Sequence, residues 1–189
     1  MIRRLLAAAL MAALLATGCA ATISPPDQVP PAAETVGVPV PGRFDHPSLV
    51  VIPALDVRDE IVPVRLNPDS TMEVPPVEVV GWYELGVKPG RPGPAVLAGH
   101  VNWDGVRGSF ARIGELQPGD EIQLFDQDGD RLSFTVYDVV SFPKSQFDTK
   151  LVYGDTPGPE LRLVTCSGPV VGNRYLDNTV VLARITGGE

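Results

Sequence analysis

The strongest signal in this sequence is a strand-like run that carries a cysteine, Leu161-Arg162-Leu163-Val164-Thr165-Cys166-Ser167-Gly168. Its aliphatic and β-branched residues predict a strand, and the Ser-Gly pair after the cysteine predicts a turn. A side chain at the end of a strand can meet side chains from neighbouring strands. Cys166 is therefore the first candidate for a reactive group.

Two other polar residues stand at the ends of strand-like runs. His100 follows the run Val96-Leu97-Ala98-Gly99, and Arg174 comes eight residues after Cys166, ahead of the run 178–185. A thiol, an imidazole and a guanidinium are the parts of a thiol acyl-transfer site: a nucleophile, an acid/base and a group that holds the substrate or the oxyanion. From the residues alone, the alternative is a buried structural cysteine, a backbone-bonded histidine and a surface arginine.

The composition indicates one globular domain with appendages. The chain has 189 residues, of which 44% are hydrophobic and 20% charged, and it contains 19 glycines and 20 prolines. So many Gly and Pro residues favour short strands and turns over long helices. The formal net charge is -8, whereas nucleic-acid-binding domains typically carry an excess of positive charge, so we expect no nucleic-acid partner.

The cysteine count limits the chemistry further. The chain has only Cys19 and Cys166, and Cys19 falls where an export signal would end. Cys166 is then the single thiol of the folded domain, and no disulfide forms within it. The two histidines, His46 and His100, have no zinc-ligand spacing with Cys166, so we expect no metal and no cofactor.

Residues 1–19 have the layout of an export signal. Arg3-Arg4 precedes an apolar Leu/Ala run, which ends at Gly18-Cys19. This end resembles a bacterial lipoprotein box in which Cys19 carries the lipid, with Ala16 where the box favours leucine. The alternative is an uncleaved anchor, because the uncharged segment 5–23 would span about 28 Å as a helix. Both interpretations place the following domain on the extracytoplasmic side of the membrane.

The rest of the chain divides into a tether and a strand-rich domain. Residues 20–47 are rich in Pro, Ala and Thr without apolar periodicity, which predicts a tether that includes a solvated His46. Beyond it, apolar runs between Pro, Gly and Asp predict about eight strands. The predicted strands are 48–53, 61–66, 72–80, 95–99, 121–125, 132–140, 161–165 and 178–185. We also predict a helical turn at 81–86, a short helix at 109–116 and a loop at 142–159, and so a mainly β barrel or sandwich.

An acidic stretch between two predicted strands has a structural interpretation. Asp126, Asp128 and Asp130 alternate as in a calcium loop, but Gly129 is misplaced for one, and Tyr137 stands where the bidentate Glu belongs. Asp-Gly between two alternating runs is typical of a hairpin turn. We therefore predict a β-hairpin here.

The motifs together resemble the sortase family, and within it class F. Ala98-Gly99-His100 resembles the histidine strand end, Leu163-Val164-Thr165-Cys166 the LxTC motif, and Asn173-Arg174-Tyr175 the arginine strand. The order His, Cys, Arg also fits. Val51-Ile52-Pro53-Ala54-Leu55 resembles the start of the catalytic domain, so the resemblance covers about residues 48–186.

The resemblance implies a fold and an activity. The fold is an eight-stranded sortase-type β-barrel with one or two short helices, placed at 48–187. The activity is that of a membrane-anchored cysteine transpeptidase. Such an enzyme cleaves an LPxTG-like sorting signal through a thioester and transfers the protein to an amine of the cell wall. Surface proteins with that motif, a cell-wall precursor or another amine acceptor, and the membrane are the implied partners of a monomeric enzyme at the cell membrane.

The resemblance also implies residue roles. Cys166 would be the nucleophile, His100 the acid/base and Arg174 the support for the substrate or transition state. Their neighbours Val101 and Thr165 are candidates for substrate binding. An apolar sequence, Pro169-Val170-Val171, follows on the acceptor side and leaves the identity of the amine open.

Two other functions compete with this one. An inert barrel that binds peptide or wall polymer would be favoured by loss of Cys, His or Arg, and all three are present. An L,D-transpeptidase would carry a Ser-His-Gly-Cys motif, whereas Cys166 follows Thr165.

Overall fold

The computed structural model describes residues 44–189. The predicted export signal or anchor at 1–19, the lipidation site Cys19 and nearly all of the tether at 20–47 lie outside these residues. Within the described part of the chain, no helix combines the length and hydropathy needed to cross a bilayer.

Eight strands close into a barrel, and a two-stranded hairpin stands beside it. The strands are β1 Pro47–Ile52, β2 Val57–Val64, β3 Val80–Tyr83, β4 Gly93–Ala98, β5 Asn102–Trp103, β6 Val106–Arg107, β7 Glu121–Asp126, β8 Arg131–Pro143, β9 Pro159–Val171 and β10 Arg174–Gly188. The order around the barrel is β1-β2-β3-β4-β9-β10-β8-β7, and β5 pairs with β6 in the separate hairpin. The pairs β2–β3 and β4–β9 are parallel and the other neighbours antiparallel.

The barrel interior follows from strict alternation along the strands. On β7 and β8, Ile122, Leu124, Leu132, Phe134 and Val136 point inward and are almost fully buried. Closing the sheet leaves no exposed edge and puts one apolar core at the centre. The predicted mainly β, eight-stranded barrel is confirmed.

A second apolar cluster covers the outside of the barrel over β4, β9, β10 and β8. Its buried members are Val96, Val152, Val180 and Leu182, with Phe142, Phe147 and Leu151 packed around them. The cover is the segment 142–153, which includes a 3-10 turn at Lys144–Gln146 and the helix α1 at Thr149–Tyr153. Asp148 caps α1 by accepting the Leu151 backbone N–H.

Several local predictions are wrong, for identifiable reasons. Of the helical turn predicted at 81–86, residues 81–83 belong to strand β3, because Trp82 fills the core at 1% exposure, and only 84–86 form a turn. The strand predicted at 72–80 is reduced to a single Leu66–Met72 bridge, since its two prolines remove ladder donors. The predicted helix at 109–116 shortens to a 3-10 turn at Ile113–Glu115. The loop predicted at 142–159 contains α1.

The cysteine strand also continues past its predicted end. Gly168 adopts a φ of +76°, and the pairing of β9 with β10 shifts register opposite it. A glycine in this conformation forms a β-bulge that bends the strand without ending it. The predicted turn is therefore a bulge at Gly168-Pro169, and β9 runs on to Val171.

The predicted hairpin at 121–140 is confirmed. Strands β7 and β8 pair in register from Glu121–Thr135 to Phe125–Arg131. The Asp126 carboxylate accepts the backbone N–H groups of Asp128 and Asp130 at 3.0 and 2.9 Å, which organises the turn.

Candidate active site

Cys166 lies on the outer face of β9 and is half-buried. Leu161, Leu163 and Thr165 point into the barrel, so alternation turns Cys166 outward. It is the free cysteine of the described residues. A thiol in this position can be reached by a substrate while its strand is held on both sides by β4 and β10.

His100 is brought to Cys166 by the parallel pairing of β4 and β9. Ala98 is in register with Val164. Two hydrogen bonds extend this pairing by one residue. The Gly99 N–H donates to the Val164 carbonyl at 3.1 Å, and the Thr165 hydroxyl donates to the Gly99 carbonyl at 2.8 Å. One more step along this register leads from Gly99 to His100 and from Thr165 to Cys166. Neighbouring strands lie about 4.8 Å apart.

Two glycines keep the His100 backbone in place. A Cβ at Gly99 would lie 2.7 Å from the Phe110 ring, and a Cβ at Gly108 would overlap the His100 carbonyl. The buried Phe110 also donates its N–H to that carbonyl at 3.0 Å. Glycine at both positions lets the core residue Phe110 and the segment 108–110 pack directly against the histidine.

The orientation of the His100 ring is fixed by one hydrogen bond. His100 Nε2 lies 3.1 Å from the Pro75 carbonyl oxygen. A carbonyl only accepts, so Nε2 carries the proton and Nδ1 is left for other chemistry. The exposed Trp103 ring lies 5.6 Å from the imidazole, centroid to centroid, and shields one side of it.

Arg174 enters the site from the start of β10 and is exposed. The next residue, Tyr175, accepts a 2.6 Å hydrogen bond from Asn102 on β5. This bond ties the β5–β6 hairpin to the β9–β10 hairpin across the site. Because Asn102 follows His100 by two residues, the histidine and arginine segments are linked by it.

One cavity of about 880 Å³ joins these groups. Its lining contains Val74, His100, Val101, Asn102, Trp103, Asp104, Gly105, Lys144, Cys166, Val170, Asn173, Arg174 and Tyr175. Lys144 and Arg174 are cations, Asp104 is the acidic member, and Trp103, Val170 and Val74 supply exposed apolar surface. Apolar walls with a few convergent polar groups are typical of a substrate cleft.

The two predicted substrate-binding residues have different positions. Val101 lines the cavity. Thr165 is 6% exposed, is absent from the lining and uses its hydroxyl to hold Gly99. The structure thus gives Thr165 a supporting contact between the two strands that carry His100 and Cys166.

Among residues 44–189, no group of three or more His, Cys, Asp or Glu side chains is arranged to hold a metal ion. The cavity lining contains a single acidic residue, Asp104, and one carboxylate offers too few ligands to hold a cation.

Comparison with known families agrees with this geometry. A family model described as the sortase domain matches residues 50–186. The chain belongs to the sortase family. A comparison with curated protein sequences finds no match.

Solved sortases share the fold at low sequence identity. Sortase A of Listeria monocytogenes is 19% identical with a TM-score of 0.59, over 77% of this chain and 90% of that one. Sortase A of Corynebacterium diphtheriae is 21% identical with a TM-score of 0.60, over 79% of this chain and 61% of that one. Sortase E1 of Streptomyces coelicolor, solved with a tripeptide in its active site, is 22% identical with a TM-score of 0.55, over 77% and 91%. Membership of the sortase family supports a transpeptidase.

Sequence reasoning missed Lys144, whose Nζ donates a hydrogen bond to Cys166 Sγ at 3.3 Å. Lys144 stands 22 residues before the cysteine, at the start of a segment predicted as a loop, where a lysine is usually solvated. Only the pairing of β9, β10 and β8 reveals the contact. Trp103 was missed for a similar reason, since an isolated aromatic between two polar residues carries no signal of a cleft.

Proposed function

We propose that this chain is a membrane-anchored sortase of class F that cleaves LPxTG-like sorting signals and transfers the acyl fragment to a cell-wall amine. The observation that carries the proposal is the shared cavity in which Cys166 and His100, neighbours in the register of two parallel strands, face Arg174. The class F assignment rests on the resemblance of the three motifs.

The proposed reaction has two acyl transfers. The Cys166 thiolate attacks the carbonyl carbon of the threonine, and the tetrahedral intermediate collapses with cleavage of the C–N bond to the next residue. His100, which carries the thiol proton on Nδ1 as an imidazolium, gives that proton to the leaving amine, and a thioester remains on sulfur. An acceptor amine then attacks the thioester, His100 takes back a proton, and Cys166 leaves as thiolate.

Arg174 supplies fixed positive charge to this sequence. Its guanidinium is ionised at every working pH and is exposed within the cavity, so it can donate hydrogen bonds to substrate carbonyls or to the developing oxyanion. Val101 forms part of the same wall. The apolar surface of Val170 and Trp103 suits aliphatic side chains of a peptide.

The anchoring part of the proposal rests on the sequence of residues 1–19. Cys19 is the proposed lipid attachment site, and the catalytic domain lies on the cell-wall side of the membrane. Labelled fatty acid should enter the wild-type chain and not Cys19→Ser. Label absent from both would favour an uncleaved anchor, and label retained in Cys19→Ser would place the lipid on another residue.

Activity is tested with the full chain in detergent and a fluorogenic LPxTG-type peptide, with and without an oligoglycine acceptor. We expect cleavage by the wild type, an amine adduct found by mass spectrometry, and no cleavage by Cys166→Ala. Cys19→Ser is the matched control and should cleave like the wild type. Failure to cleave any motif variant, with Cys166 inert to thiol reagents, would favour the inert peptide-binding barrel.

A further inference from the structure

Cys166 has a second cationic neighbour. Lys144 is the first residue of the 3-10 turn that follows β8, and its Nζ lies 3.3 Å from Cys166 Sγ. The contact follows from strand register: Asn178 on β10 pairs with Cys166 on one side and with Phe142 on the other. Phe142 and Cys166 are thus two strands apart, about 9.5 Å. A lysine side chain two residues beyond Phe142 can cover that distance.

Lys144 has no other polar partner among the described residues. Its only side-chain hydrogen bond there is to the sulfur, and it forms no ion pair with a carboxylate. By contrast, the half-buried Lys88 pairs with Asp45 at 2.8 Å. A surface lysine that contacts a sulfur and no carboxylate is positioned to stabilise the thiolate form of that sulfur.

The turn that carries Lys144 is anchored on the barrel. Phe142 and Phe147 flank the turn, pack edge to face with ring centroids 5.5 Å apart, and belong to the outer apolar cluster. Buried packing on both sides of a three-residue turn limits its movement. The ammonium is consequently held over the sulfur by the fold and not only by its own flexible stem.

We propose that Lys144 is a catalytic residue whose ammonium stabilises the Cys166 thiolate. The sulfur of a thiol is a weak acceptor, whereas a thiolate accepts a charge-assisted hydrogen bond, so the contact favours ionisation of Cys166. Acylation removes the charge from sulfur, and the ammonium loses its partner. A protonated amine has no free lone pair, so Lys144 does not compete with the external acceptor for the thioester.

Other charged and titratable groups around the sulfur are distributed over the neighbouring elements. They are His100 after β4, Asp104 in the β5–β6 hairpin, and Arg174, Tyr175 and Asp177 on β10. His100 and Arg174 also favour the thiolate, and Asp104 and Asp177 oppose it. Lys144 is the member of this set with a hydrogen bond to sulfur.

The test measures ionisation of Cys166 directly, without a peptide substrate. The full chain is alkylated with iodoacetamide over a range of pH, and the rate at Cys166 is followed by mass spectrometry of its own proteolytic peptide. We expect the pH midpoint of alkylation to be higher in Lys144→Met than in the wild type, and the effect to be modest because Lys144 is exposed. At pH 7 the rate should fall about threefold.

Matched variants distinguish the effect of the Lys144 charge from that of its side-chain size. Lys144→Arg should restore the wild-type midpoint, and Lys150→Met, which removes an exposed lysine of α1, should not change it. Lys144→Gln repeats the test should the methionine variant fail to fold. Superimposable pH profiles for the wild type and both neutral variants would overturn the proposal. Recovery of an acyl group on Lys144 after reaction with peptide would also overturn it, because that requires a free amine.

The kinetic part of the inference rests on the proposed function, and the two can fail separately. If the wild type cleaves peptide, kcat/KM of Lys144→Met should fall about threefold at pH 7 and recover at alkaline pH as the thiolate forms without help. If no variant cleaves peptide but the alkylation midpoint still moves, the proposed function fails and the role of Lys144 in ionising Cys166 stands.

Discussion

Two arginines on neighbouring strands show how one residue type serves two purposes. Arg162, on β9, is 2% exposed, pairs with Glu160 at 2.6 Å and donates to the Leu151 carbonyl at 3.0 Å. Arg174, on β10, is exposed in the cavity and has no hydrogen bond or ion pair from its side chain within residues 44–189. The guanidinium of Arg162 is therefore paired within the fold, whereas that of Arg174 is available to bind a ligand.

The position of Arg162 explains why a buried charge is tolerated. It faces the same outer side of β9 as Cys166, four residues earlier, but there the segment 142–153 covers the strand. The Arg162–Leu151 bond attaches that cover to the barrel. Near Lys144, at the N-terminal side of this segment, the cavity opens over Cys166.

The largest effect on the fold is expected from Arg162→Met. The change leaves Glu160 without its partner and removes the link to α1, so the free energy of unfolding should fall by about 3 kcal/mol. Urea denaturation measures it, and kcat/KM per folded molecule should be preserved. Adding Glu160→Gln should recover part of the loss. An unchanged urea midpoint would show that the pair does not hold the cover.

The complementary change is Arg174→Met, which should affect only the reaction. Loss of one oxyanion or substrate donor typically costs about 100-fold in rate, so kcat/KM for the peptide should fall by about that factor. The free energy of unfolding should change by about 0.5 kcal/mol or less, as for an exposed site. A stability loss as large as that of Arg162→Met would remove the contrast between the two arginines.

The smallest effect concerns Tyr137, whose hydroxyl donates to Glu160 at 2.7 Å beside Arg162. Burial, together with the bond to Glu160, raises the pKa of Tyr137 above its usual 10.0. The folded state therefore holds this proton more tightly than the unfolded chain. The stabilisation is complete below pH 10 and is lost as pH rises through the folded pKa.

In Tyr137→Phe, the free energy of unfolding should accordingly decrease less steeply with pH above pH 10. Burial also raises the pKa of Tyr153, so some slope should remain in the variant. Tyr153→Phe is the matched comparison. Denaturation at a series of alkaline pH values measures both, and identical slopes in the wild type and Tyr137→Phe would contradict the assignment.

The strands and the positions of three candidate residues could be predicted because those features are local. The strand pattern left both a barrel and a sandwich open, and the barrel was implied by the resemblance of the motifs. Alternation on β7 and β8 is visible in any window of ten residues, and the motifs around His100, Cys166 and Arg174 each lie within a few residues. β3 was mistaken for a helical turn because its pairing partners, β2 and β4, supply the reason for a strand and lie elsewhere in the chain. Lys144 depends on the register of three strands at once, which no local pattern encodes.

The parallel pairing of β4 and β9 has a consequence for how the protein folds. It joins segments about 66 residues apart in the sequence, as in the pair Ala98–Val164. Contacts of such high sequence separation form late, because the chain must first accept the entropy of closing a long loop. The imidazole and the thiol therefore come together only when the barrel closes. A newly made chain lacks the acid/base partner of its nucleophile until then, and recovery of peptide cleavage during refolding should report the pairing of β4 with β9.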